Sequence, residues 1–102
     1  MPRPPIHPGE ILAEELAETA VTPTELARQL KVPGNRITQI IQGKRAISGD
    51  TALRMGHWFG TSAQFWLNLQ RAYDIRMAAR QAGVQIARLP VRSSRARTAA
   101  GR

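Results

Sequence analysis

Asn35, Arg36, Thr38, Gln39 and Gln42 fall on one side of a short stretch whose other side is Ile37, Ile40 and Ile41. Asn35 and Gln39 are four residues apart, so on a helix they project from the same face. Asn and Gln each pair an amide donor with an amide acceptor, the pattern complementary to the major-groove edge of adenine. Arg36 suits a guanine edge or a phosphate. Thr38 suits a phosphate or a thymine methyl. Gly34 permits close backbone approach to a duplex or simply serves a turn. Lys44 and Arg45 follow Gly43 directly, where two cations fit phosphates flanking a groove and also complement the end of a helix. From Arg28 to Arg45 there are five basic residues and no acid. The chemistry this set can perform is hydrogen bonding to nucleic-acid bases and phosphates. The same residues would also make an ordinary solvated helix face.

Such side chains need a frame. Thr22 is a good N-cap, Pro23 suits the first helical position, and Glu25 completes a Thr-x-x-Glu capping box. The helix this starts runs to about Leu30, with Leu26, Ala27 and Leu30 on one face. Val32-Pro33 breaks it, because proline lacks an N–H and disfavours helical geometry in the residue before it. A second helix spans about Gly34 to Gln42, and Gly43 supplies a left-handed stop. Two short helices joined by a tight turn are helix-turn-helix geometry, and Ala27 is small enough to let them approach. The N-terminus of the first helix, near Thr22 and Thr24, offers further donors to a phosphate. The spacing of Ala27, Val32, Ile37 and Ile40 resembles the phage-repressor class of helix-turn-helix. Lys31 departs from it by standing where a left-handed glycine is usual, at roughly 1 kcal/mol.

Around this unit lie three more helices. One runs from about Pro8 or Gly9 to Thr19, with Ile11, Leu12, Leu16 and Ala20 inward and Glu10, Glu14, Glu15 and Glu18 outward. That acidic face is a solvated surface or a contact for a basic protein partner, and like charge excludes it from DNA. His7 reads as a capping or packing group. Ser48 caps a fourth helix, about Gly49 to Phe59, with Ala52, Leu53, Gly56 and Phe59 inward. Ser62 caps a fifth. There Phe65, Leu69, Ala72 and Arg76 follow one row and Trp66 and Tyr73 another. Two rows on one helix serve one core, or one of them meets a second subunit. Trp66, Leu69 and Tyr73 are the candidates for that contact.

The chain has 102 residues, 15 Lys+Arg against 7 Asp+Glu, a net charge of +8 and no cysteine. This is the size of one domain with a modest core. Residues 1–75 hold eight basic groups and all seven acids, whereas residues 76–102 hold seven arginines and no acid. The excess charge therefore lies at the C-terminal end. The expected organisation is a folded unit over residues 1–82 and an Arg-rich, flexible tail over 83–102. Without cysteine there is no thiolate metal site or thiol nucleophile. His7 and His57 are isolated, and Glu14 and Glu15 diverge as neighbours on a helix. No enzyme, metal or cofactor is expected. No apolar run reaches membrane-spanning length, and the first residues lack the apolar core of a signal peptide, so a cytoplasmic protein is expected.

Three further motifs occur in order: HPGEIL at 7–12, GKRAISGDTALR at 43–54 and FGTSAQFWLNLQRAYDIR at 59–76. Together with the helix-turn-helix they strongly resemble the HigA family of antitoxins, over about residues 6–76. The resemblance implies an all-α, five-helix phage-repressor-like domain forming a homodimer. It implies binding to a palindromic operator in double-stranded DNA, autorepression, and neutralisation of a RelE-like, HigB-type mRNA-cleaving ribonuclease. By position it places base reading on Gly34, Asn35, Thr38 and Gln39. Phosphate binding falls on Thr22, Thr24, Arg36, Gln42, Lys44 and Arg45. The acidic face of Glu10, Glu14, Glu15 and Glu18 is the physical candidate for the basic toxin. A phage-type regulator without a toxin is the alternative reading, and a pure protein-binding module a more distant one.

Overall fold

The computed structural model describes residues 4–92. Five helices make up the fold: α1 (Pro8–Ala17), α2 (Pro23–Leu30), α3 (Arg36–Ile41), α4 (Gly49–Phe59) and α5 (Ala63–Ala87). Among the described residues there is no strand.

Local capping chemistry explains most boundaries. His7 caps α1: its Nδ1 accepts from the Gly9 N–H at 2.9 Å, and Glu10 reaches back to accept from the His7 N–H at 3.2 Å. Ser48 and Ser62 cap α4 and α5 through the Thr51 and Phe65 N–H groups. At α2 the Thr22 hydroxyl accepts from the Glu25 N–H at 3.1 Å. The other half of the expected capping box does not form. Glu25 turns instead to Arg28 and Gln29 on the next turn, where a charged partner outcompetes the Thr22 N–H. Those bonds hold its carboxyl well below the usual range, to about 2.

α1 is shorter than its periodicity suggests. Thr19 ends it by donating its hydroxyl to the Leu16 carbonyl and accepting from the Val21 N–H. Ala20 therefore lies beyond the helix and is exposed, not inward.

The core is Leu12, Leu16, Leu26, Ala27, Leu30, Ile37, Ile40, Ile47, Ala52, Met55 and Trp66. α1 and α2 both pack on α3, while α4 packs on α5 and touches α2. The α1–α3 crossing is unusually close. A Cβ built on Gly9 would sit 1.9 Å from the Ile40 carbonyl oxygen, so only glycine fits there.

Several inward residues differ from expectation. Leu53 is two-thirds exposed, and Met55 is buried in its place. Ala52, Met55, Gly56 and Phe59 form the true i, i+3, i+4, i+7 stripe. Trp66, expected at a subunit contact, is wholly enclosed in its own core. It packs against Phe59 and Phe65 and donates its indole N–H to Thr61. Tyr73 is half-buried with its ring against His7, centroids 4.7 Å apart, and Leu69 is half-buried against the core. Gln70, a polar residue in the apolar register, is buried. Its amide oxygen accepts the Ile47 N–H at 2.8 Å, tying the α3–α4 connection to α5.

α5 continues helically to Ala87, past the expected boundary at residue 83. The fully buried residues of this helix are Trp66 and Gln70, so its packed part ends turns before the helix itself does. Residues 93–102 of the expected tail lie outside the described residues.

Candidate nucleic-acid interface

α2 and α3 form the helix-turn-helix, and the turn between them is set by Lys31. Its backbone is left-handed (φ 60°, ψ 44°), the one positive φ of a non-glycine among the described residues. The Val32 N–H bonds the Ala27 carbonyl at 3.1 Å and the Lys31 N–H that of Arg28 at 3.2 Å, the paired bonds of a Schellman motif. The turn thus keeps the glycine geometry with lysine in place. α3 ends the same way: Lys44 N–H to Gln39 carbonyl at 2.9 Å, Gly43 N–H to Ile40 carbonyl at 3.0 Å, with Gly43 at φ +75°.

A clamp from α4 holds the end of α2. Arg54 Nη1 donates to the Leu30 carbonyl at 2.8 Å while its Nε bonds Asp50 at 2.9 Å. The Trp58 indole N–H donates to Gln29 at 2.7 Å. Neither residue stood out in the sequence, since both act across more than twenty positions of chain.

Within α3, Ile37 and Ile40 face the core, which turns the polar residues outward. α3 begins at Arg36, so Gly34 lies in the exposed turn before it, with open space around its Cα and no positive φ. Asn35 takes the N-cap position without bonding the helix through its side chain, and it is exposed. Thr38 and Gln39 are half-buried along the same edge, and Gln42 is exposed. Gln39 accepts from Arg45 Nε at 2.9 Å. Lys44 and Arg45 are exposed beside the C-terminal end, and Thr22 and Thr24 are exposed at the start of α2.

Arg36 stands apart from this group. Its Nη1 lies 3.2 Å from the Thr51 hydroxyl at the start of α4, and its Nε is buried with no hydrogen-bond partner. The side chain is half-buried against α4 rather than displayed with the other basic residues.

On α1, Glu14, Glu15 and Glu18 are exposed. Glu10 is exposed as well but contributes to the α1 cap. Among the described residues no cluster of three or more acidic or histidine side chains could hold a metal, and no helix is long and apolar enough to cross a membrane.

The five-helix fold is shared with known proteins. An addiction module antidote protein of a HigA family from Coxiella burnetii is 50% identical, with a TM-score of 0.83 over 87% of this chain and 98% of that one. Antitoxin HigA from Pseudomonas aeruginosa, solved with the higBA promoter, is 46% identical, with a TM-score of 0.83 over 87% of this chain and 98% of that one. Virulence-associated protein I of Dichelobacter nodosus is 50% identical over 76 residues, 74% of this chain and 70% of that protein. No family model matches the chain.

Proposed function

The chain belongs to the HigA family of antitoxins, and on that premise we propose that it is a DNA-binding antitoxin that represses its own operon. The observation that carries this reading is the outward polar edge of α3, held between two Schellman turns and bordered by Lys44 and Arg45. A HigA relative of nearly the same length has been solved with promoter DNA.

In this reading α3 lies in the major groove. Asn35 and Gln39 read adenine edges, Thr38 packs on the floor of the groove, and Gly34 lets the preceding turn approach the duplex. Thr22, Thr24, Gln42 and Lys44 hold phosphates on either side and set the register. The Thr22 oxygen caps α2, which leaves its hydroxyl proton for a phosphate. Arg36 is left out of the phosphate set, because its guanidinium is turned toward Thr51. It braces α3 against α4 instead.

Two copies related by a two-fold axis present two α3 helices to half-sites about 34 Å apart, which is why the operator is palindromic. The second partner is a HigB-type, RelE-like ribonuclease toxin. Glu14, Glu15 and Glu18 give a basic protein an acidic surface on the side of the domain given to α1, leaving α3 to DNA.

The test is a gel-shift titration on the chain's own upstream region, at two salt concentrations, against a scrambled duplex. Selective binding of the native fragment that survives at the higher salt supports operator recognition. Equal binding to both duplexes, lost with salt, means that charge alone is read, and the autorepressor reading fails.

A further inference from the structure

Gln39 and Arg45 are six residues apart, yet Arg45 Nε donates to Gln39 Oε1 at 2.9 Å. The end of α3 brings them together. Gly43, at φ +75°, reverses the chain, and the Lys44 N–H closes onto the carbonyl of Gln39 itself. Arg45 is thereby laid beside the last turn of the helix it follows.

The pairing fixes more than a distance. A glutamine amide on a helix surface can present its oxygen or its nitrogen to a given side by a half-turn of the last bond. A guanidinium carries donors and no acceptor, so the atom facing Arg45 has to be the oxygen. That leaves Nε2 with its two protons and the oxygen with a second lone pair. One donor beside one acceptor, in a known order, is what the N7 and N6 of adenine require. Holding that order before DNA arrives removes an ordering cost from binding and removes the flipped amide that would suit other bases.

We propose that Arg45 is a positioning residue for base readout: it locks the Gln39 amide in the orientation that selects adenine, rather than serving as a phosphate contact. The proposal rests on α3 being the DNA-reading helix. It gives the Gly43-Lys44-Arg45 segment a division of labour, in which Gly43 makes the reversal, Lys44 meets the backbone of the duplex and Arg45 sets the reading head.

The experiment selects bound duplexes from a randomised library, using the full chain and its Arg45→Ala and Arg45→Lys variants. The salt dependence of affinity is then measured on the preferred site. Arg45 is exposed, and melting curves are recorded to check that each variant folds. Lysine keeps the charge but cannot place a planar N–H at the same point. The expected result is that adenine preference at one position per half-site falls about tenfold in both variants. Preference elsewhere stays, and Arg45→Lys keeps the parent's salt slope. Two results overturn the proposal. One is a uniform loss in Arg45→Ala with a shallower salt slope, restored by lysine, which makes Arg45 a phosphate ligand. The other is an unchanged base profile in both variants. If the parent chain itself enriches no sequence, the operator reading fails first, and the proposal falls with it rather than because of Arg45.

Discussion

Replacing Gly9 with alanine should damage a helix far from it in sequence. The added methyl would meet the Ile40 carbonyl oxygen at 1.9 Å, the Ile40 carbonyl carbon at 2.8 Å and Ile41 Cα at 2.9 Å. All three are backbone atoms, so no side chain can swing aside. To reach the 3.4 Å of ordinary contact, α1 and α3 must part by about 1.5 Å. That separation loosens Leu12 and Leu16 from Ile37 and Ile40, all of them buried. Overpacking of this kind costs about 1–3 kcal/mol, and a backbone clash belongs at the upper end. Alanine's better helix propensity returns less than about 1 kcal/mol. The net loss is about 2–3 kcal/mol, a fall in Tm of roughly 10–20 °C for a domain of this size. Calorimetric or circular-dichroism melts measure it directly. Gly34→Ala is the control, since no atom lies within 4 Å of the Cβ it would add. That variant should melt within about 0.5 kcal/mol of the parent. A Gly9→Ala protein that melts with the parent would show that the two helices do not cross this closely.

Lys31→Gly should stabilise the fold by about 1 kcal/mol, because lysine holds a left-handed backbone there; a lower urea midpoint would contradict this. His7 has its pKa lowered from 6.5, chiefly by burial, with Asp74 and Glu10 opposing the shift. The unfolded chain therefore takes up the proton first. The contribution of His7 is complete above about pH 6.5 and is lost as pH falls through the lower folded value. His7→Asn keeps a capping acceptor without a titrating ring, so urea midpoints at pH 8 and pH 5 should differ less in the variant than in the parent. Gln70→Ala strands the buried Ile47 N–H and should cost about 2–3 kcal/mol by chemical denaturation. A loss below about 0.5 kcal/mol would mean that the bond contributes little. Gln39→Ala should relax selectivity at one base per half-site by about 1–3 kcal/mol, whereas Lys44→Ala should weaken all duplexes alike and reduce the salt slope by about one. Exchanged outcomes would reverse the two roles.

What could be read from the chain beforehand was what local chemistry decides. Thr22, Ser48 and Ser62 each cap the helix they precede, and Gly43 stops α3 with a positive φ. The unusual Lys31 was visible as an exception, and the backbone accommodates it. The outward direction of the α3 polar edge followed from the positions of its isoleucines. Misreadings arose where apolar residues sit on adjoining faces. In α4 a stripe through Leu53 looks as good as one through Met55 until α5 is in place. In α5 Trp66 and Tyr73 form a row on paper, but Trp66 meets Phe59 across a tight corner. Non-local bonds left no local signal. Arg36 reaches Thr51 across fifteen residues, Gln70 reaches Ile47 across twenty-three and Arg54 reaches Leu30 across twenty-four. Gly9 reads as an ordinary first-turn glycine until Ile40 is seen against it.

The outer edge of α3 has a consequence for how such a protein changes its target. The helix is held by Ile37 and Ile40 inside and by backbone bonds at its ends, and the Asn35 side chain takes no part in capping it. Surface positions of this kind exchange residues within about 0.5 kcal/mol. Asn35 and Gln42 can therefore drift between lineages almost freely as far as folding is concerned, while the frame of Gly9, Leu30 and Arg54 cannot. Gln39 is the exception along that edge, because it is bonded to Arg45. A lineage that alters one of the pair inherits a mismatched partner, so retargeting at this position proceeds by paired substitution or stalls.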